Sequence, residues 1–143
     1  MFKPSKEKSE RTLARINAIF SEKVQETQKY TVAYAYYMKS SLLKKTMYSY
    51  VVGFSEADKE IVVIPIDSDA NACGDPIVFN KTNIISIKIG AQGDAIIKAN
   101  GLDQDLHLTV PGFTPPALES AYVLPVEQTE VAVKFRDFVK RDF

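Results

Sequence analysis

The chain has 143 residues, of which 45% are hydrophobic, and its 18 basic residues balance 18 acidic ones. This length and composition predict one globular domain with a substantial core, and the neutral balance argues against a nucleic-acid partner. A single cysteine, Cys73, excludes an intrachain disulfide and a cysteine metal cluster.

The first predicted element is a helix over residues 5–26. It forms most of an N-terminal unit, residues 1–28, that precedes the predicted strands. Ser5 suits its start, because a serine hydroxyl can accept hydrogen bonds from the free amides of the first turn. The N-terminus lacks the apolar segment of a signal peptide, and no apolar run reaches the length that spans a bilayer, so we expect a cytoplasmic protein. The apolar face of the helix repeats every three or four residues: Leu13, Ile16, Phe20 and Val24, with Ile19 beside them.

Seven predicted strands follow, most of them joined by short polar links, which favours an antiparallel barrel or sandwich. The first two, residues 29–38 and 46–54, form a hairpin, and the third, residues 60–66, is almost entirely apolar. Pro65 cannot donate to a strand ladder, so we expect it near an edge or a strand end. A short strand over residues 76–79 comes next.

Residues 80–110 predict three further strands in a meander, because apolar and polar residues alternate and Gly, Asn and Asp interrupt them. His107 and Thr109 are predicted to face away from the core. The positions predicted to face the core are Ile85, Ile87, Ile89, Leu106, Leu108 and Val110.

Four prolines in residues 111–125 exclude a long regular element there. We expect an extended crossing of the surface, with Phe113, Tyr122 and Leu124 as anchors. Pro125 suits the first turn of a final helix over residues 126–143. The predicted buried stripe of that helix is Val131, Phe135, Phe138 and Val139.

Seven antiparallel strands followed by one amphipathic helix resemble the element order of pleckstrin-homology-like domains, and in particular the short bacterial members of unknown function. The resemblance covers residues 29–143 and implies a mainly β (α+β) fold. In that fold, a bent barrel or sandwich of seven strands is capped by the C-terminal helix, here with an extra N-terminal helix. The family's helix often carries a tryptophan and this chain has none, which indicates a variant.

The loop of the first hairpin, KSSLLKK, is the strongest candidate site. Lys39, Lys44 and Lys45 flank Leu42 and Leu43. In lipid-binding members of the family, basic residues of this hairpin hold phosphates, and apolar residues at its tip enter the bilayer. The alternative is that the leucines pack on the core or on a neighbouring subunit while the lysines are solvated.

Tyrosines are unusually dense in the same hairpin. Tyrosine suits half-hydrated surfaces as well as cores, so the sequence leaves core lining and an exposed interface open. The candidates are Tyr34, Tyr36, Tyr37, Tyr48 and Tyr50.

Other motifs carry weaker signals. Residues 67–75 begin like a calcium-binding loop, but position six is Ala72 rather than glycine and position twelve is Val78 rather than glutamate, which favours a polar turn over a metal site. Cys73 and His107 are the only possible thiol–imidazole pair, and no pattern brings them together. Gly90 and Gly93 fit a hairpin turn, since a strand follows them rather than the helix of a phosphate loop.

The sequence therefore predicts a non-enzymatic binding module without a cofactor. Its predicted partner is another protein or a second copy of the chain, with an anionic lipid as the alternative. The runner-up is a small barrel with a ligand pocket or a hydrolase activity, which would need His107, Asp94 and Tyr36 to converge in a cavity.

Overall fold

The computed structural model describes residues 3–91, 93–119 and 122–143. Its helices are α1 (Lys6–Lys23), the single turn α2 (Pro116–Glu119) and α3 (Thr129–Asp142), and a 3₁₀ turn covers Thr27–Lys29. None of these helices is long and apolar enough to cross a membrane. The strands are β1 (Thr31–Ser40), β2 (Lys45–Ser55), β3 (Glu60–Ile66), β4 (Ile77–Phe79), β5 (Ile84–Ile89), β6 (Ala95–Ala99) and β7 (Leu106–Leu108).

The first sheet has the antiparallel order β1-β2-β3-β4. β1 and β2 pair along their whole length, from Thr31 opposite Phe54 to Ser40 opposite Lys45. β3 pairs with β2 only as far as Ser49, so the last part of the first hairpin extends past the sheet. Pro65 is the penultimate residue of β3, beyond the part that pairs with β4, as the sequence predicts.

The second sheet has the order β5-β6-β7. The predicted orientation of one of its residues, Ile85, is wrong. Ile85 is 57% exposed instead of facing the core. The register shifts between Ile84 and Ser86, and such a bulge turns one residue out of the alternation. Ile84 and Ile87 face the core in its place, while Leu106, Leu108 and Val110 lie against the core as expected.

The two sheets and α3 enclose the main core, which confirms a sandwich with a C-terminal helix. Strand pairing does not close the sandwich into a barrel: in the described part of the chain, the single bridge between Tyr36 and Thr109 joins the sheets. The predicted stripe of α3 is correct, with Phe135, Phe138 and Val139 buried. Other members of this core are Val52, Phe54, Ile61, Val63, Phe79, Ile97 and Leu108.

A second core lies on the other face of the first sheet, beneath α1. Ile16, Ile19 and Phe20 of the helix pack there, and Ser5 caps the helix by accepting the Lys8 amide at 3.2 Å. Because β2 and β3 are covered on both faces, β3 needs apolar residues at consecutive positions. The sheet residues of this core include Tyr34, Val51, Val62, Ile64 and Ile66.

The segment between β7 and α3 differs from the prediction. It contains the helical turn α2, and α3 begins at Thr129 rather than at Val126. The backbone of Val126 is paired with Thr114 instead of a helix: its amide donates to Thr114 Oγ1 at 3.2 Å, and its carbonyl accepts the Thr114 amide at 2.9 Å. Among the described residues of the segment, Val123, Val126, Thr114 and Gln128 are buried. The predicted anchors Phe113 and Tyr122 are exposed, and the third, Leu124, is half-buried.

The side chain of Gln128, which precedes α3, completes the outer edge of β1. Its Oε1 accepts the Tyr34 amide at 3.0 Å, and its Nε2 donates to the carbonyls of Tyr34 at 2.8 Å and Pro111 at 3.0 Å. The next bonds along the same edge join the backbones of Tyr36 and Thr109. A side-chain amide thus extends the strand ladder and joins α3 to the first sheet.

Replacing Gly53 in β2 with alanine should destabilise the protein, although alanine is usually better than glycine in a strand. A Cβ at position 53 would overlap the ring of the fully buried Phe20, and overpacking typically costs about 1–3 kcal/mol. Urea unfolding of Gly53→Ala measures the change. Gly112→Ala is the matched control, because its Cβ meets nothing closer than 3.7 Å; equal stability of the two variants would contradict this packing.

Replacing Gln128 with leucine should lower the free energy of unfolding by about 2–4 kcal/mol, since it leaves the buried amide and carbonyl of Tyr34 and the half-buried carbonyl of Pro111 without this partner. The substitution keeps an apolar side chain of similar size, so lost hydrogen bonds account for most of the effect. Thermal unfolding monitored by circular dichroism checks this. The exposed Gln104→Leu should have little effect, and a Gln128→Leu variant as stable as that control would refute the role of the amide.

Candidate functional site

The tip of the first hairpin presents two leucines to solvent. Leu42 is 99% exposed and Leu43 is 93% exposed. The turn beneath them is ordered by Ser41, whose amide donates to the Lys44 carbonyl at 2.8 Å and whose hydroxyl donates to the same carbonyl at 3.0 Å. Packing of the leucines on the protein's own core, one of the two alternatives, is therefore excluded.

Three exposed lysines surround this tip: Lys39, Lys44 and Lys45. No carboxylate of the described residues lies within ion-pairing distance of them. Lys29 and Lys59, in contrast, each contact an aspartate, at 2.8 and 2.9 Å. The tip therefore combines a projecting apolar pair with positive charge that the described chain does not neutralise.

A hollow of about 310 Å³ lies at the base of the hairpin between Lys45, Thr46, Met47 and the end of β3. Tyr122 lines it, is 72% exposed and has a left-handed backbone with φ of 71°. A non-glycine residue in this region is strained, and such strain is often found at functional sites. Sequence patterns could not reveal Tyr122 as part of this end of the molecule, because neither its φ nor its distant neighbours leave a local signal.

The five candidate tyrosines have different environments. Tyr34 is fully buried, and its hydroxyl lies 2.7 Å from Ser49 Oγ and accepts the Leu124 amide at 3.1 Å. Burial raises the pKa of Tyr34 and Tyr36, and it raises the pKa of Tyr50 to about 12. Tyr48 is 42% exposed, and Tyr37 stacks on His107 with ring centroids 4.5 Å apart.

Part of the polar cluster required by the hydrolase hypothesis does assemble. Asp94 Oδ2 lies 2.9 Å from His107 Nδ1. Asp94 and Tyr36 line a hollow of about 220 Å³ together with Thr109. Cys73 is hydrogen-bonded to β3, where its amide donates to the Pro65 carbonyl. Among the described residues, no hydrogen bond joins Cys73 to His107.

The loop over residues 67–75 forms the polar turn that the sequence favours. Asp67 Oδ1 accepts the amides of Asp69 and Asn71, each at 3.0 Å. Arg15 of α1 holds the loop through the Ala70 carbonyl at 2.8 Å and Asn71 Oδ1 at 2.9 Å. Among residues 3–91, 93–119 and 122–143, no group of three or more potential ligand side chains is placed to hold a metal ion.

Comparisons with family models, with curated proteins and with solved structures found no match to this chain.

Two half-buried tyrosines, Tyr30 and Tyr50, predict that the protein loses stability between about pH 10 and pH 12. An unfolded tyrosine ionises near pH 10, whereas the pKa values of Tyr30 and Tyr50 are raised to about 12 in the folded chain. The folded state therefore holds these protons more tightly, and stability falls as the pH rises through this range.

Absorbance titration at about 295 nm and urea unfolding across the same pH range measure both effects. Tyr50→Phe should remove one late-ionising tyrosine and flatten the loss of stability. The denatured protein is the control, because all its tyrosines should ionise near pH 10. A folded protein that titrates like the denatured one would contradict the prediction.

Proposed function

We propose that this chain is a non-enzymatic binding module of the pleckstrin-homology-like type, and that its first hairpin docks on anionic lipid surfaces. The fold hypothesis is supported by two antiparallel sheets of four and three strands followed by a helix that packs into the sandwich. This is the element order that the resemblance implies. The additions to it are α1, which covers the first sheet, and the turn α2.

The observation that carries the functional proposal is the exposure of Leu42 and Leu43 between three unpaired lysines. Fully burying a leucine is worth roughly 1.5–3 kcal/mol, and a lysine near an anionic membrane contributes about 1 kcal/mol. Together these contributions are about 6–9 kcal/mol, no less than that of one myristoyl chain, which gives reversible binding. The hairpin supplies these groups at its projecting end, where they can reach a surface first.

A membrane explains this tip better than a protein partner does, although the sequence alone ranks a protein partner or a second copy first. Two leucines make a small contact, whereas a stable protein interface buries about 800 Å² on each side. Symmetric self-association through the tip would place the three lysines of each copy against each other, and such like charges repel. An anionic bilayer offers an apolar interior beneath a negative surface, so it complements both parts of the tip. Anionic lipids face the cytoplasm, in agreement with the expected location.

The hydrolase alternative has one supporting observation, the pair of Asp94 and His107. Such a pair activates a nucleophile through the second imidazole nitrogen. In the described chain, however, no serine, threonine or cysteine side chain hydrogen-bonds to His107, and one face of the imidazole is covered by Tyr37. We therefore assign the pair a structural role, in which Asp94 and Tyr37 orient a strand residue at the edge of the second sheet.

Co-sedimentation with vesicles tests the proposal. The chain should bind vesicles that contain phosphatidylglycerol, bind neutral phosphatidylcholine vesicles much less, and dissociate as salt is raised. Lys39/Lys44/Lys45→Gln should weaken binding by about a hundredfold, and Leu42/Leu43→Ser should weaken it at both low and high salt. The matched control is Lys81/Lys88/Lys98→Gln, which removes the same charge from three other exposed lysines.

Absence of vesicle binding by the parent chain would overturn the proposal. An equal loss in the control variant would mean that net charge, rather than the hairpin, drives the binding. Light scattering over a wide concentration range tests whether the tip mediates self-association. A dimer that Leu42/Leu43→Ser converts to a monomer would assign the tip to self-association instead of lipid binding.

A further inference from the structure

A cavity of about 250 Å³ lies between the second sheet and the first half of α3. Its lining is mainly apolar and reaches the main core, since Leu108 and Phe135 belong to both. This volume is near the lower limit of small-molecule pockets, about 300 Å³. Other apolar lining residues are Ile89, Ala95, Val110 and Ala132.

The cavity is partly open to solvent. Gly93 lies on its lining with a left-handed backbone, φ of 84°. An apolar space of this kind gains little from water, because water needs two to four polar partners to be held. The cavity therefore suits a ligand with an apolar part that enters from the open side.

Arg136 of α3 also lines the cavity, is itself exposed to solvent, and has no hydrogen-bond or ion-pair partner among the described residues. The other three arginines of the chain are each held: Arg11 by Glu7, Arg15 by Asn71 and Arg141 by Asp142. A guanidinium group presents parallel donors that fit the two oxygens of a carboxylate. An unpaired arginine beside an apolar cavity is thus complementary to a molecule with a carboxylate at one end.

We propose that this cavity binds a small amphiphilic carboxylate, such as a medium-chain fatty acid. The chain of the ligand lies among Leu108, Ala132 and Phe135, and its carboxylate pairs with Arg136. A single cation matches the single charge of a carboxylate. The cavity shares no lining residue with the first hairpin, so this site is independent of the proposed docking on lipid surfaces.

Titration calorimetry with decanoate, a ten-carbon carboxylate, tests the site below the concentration at which the acid forms micelles. We expect saturable binding of one molecule per chain, and much weaker binding of decanol, which has the same chain length but no carboxylate. Arg136→Gln should weaken binding of the acid by about tenfold or more. Lys140→Gln, an exposed cation on the same helix, should leave it unchanged.

Ala132→Leu fills the cavity and should abolish binding, and leucine keeps a high helix propensity, so α3 should remain folded. Circular dichroism verifies the fold of each variant. Leu42/Leu43→Ser should retain the site. The proposal is overturned by a parent chain without saturable binding, by binding that neither Arg136→Gln nor Ala132→Leu changes, or by binding that disappears with the hairpin leucines.

Discussion

The hydrogen bonds between Gln128 and the backbone of Tyr34 hold the parts of this molecule together. β1 is an edge strand of the first sheet, and its outward amides and carbonyls need partners. Thr109 supplies them at Tyr36 and the Gln128 side chain supplies them at Tyr34, so the second sheet and α3 both attach to the same edge. The Tyr34 hydroxyl then binds Leu124, which fixes the segment that leads into α3.

This attachment explains why the first hairpin can project without losing its orientation. The base of the hairpin takes part in both cores: Tyr34 and Val51 pack beneath α1, while Ala35 and Val52 face the second sheet. Beyond Tyr36 and Ser49 the two strands pair only with each other. The base of the hairpin is thus fixed in the domain, while its tip contacts no other strand. This arrangement suits a segment whose tip inserts into a partner while the rest of the domain stays outside.

Much of the fold could be predicted because it depends on local periodicity and caps. The cap at Ser5 and the buried stripe of α3 both follow from the identity and spacing of residues. The predictions are wrong where contacts between residues distant in sequence determine the register of a strand or the start of a helix. The bulge beside Ile85 changes register without changing composition, and the start of α3 depends on Gln128 and Tyr34, which are 94 positions apart. The lysines and leucines of the tip were visible in the sequence, whereas the unpaired state of Arg136 requires knowledge of every neighbouring element.

The position of α1 determines where this chain can be shortened. The helix is a third layer, covering residues of β2 and β3 that are apolar on both faces. A fragment that begins after residue 28 would present Val51, Val62 and Ile64 as a continuous apolar surface, and such surfaces promote aggregation. A recombinant fragment that starts at the first strand would thus be less soluble although it retains every strand. A fragment for expression therefore has to include the N-terminal helix.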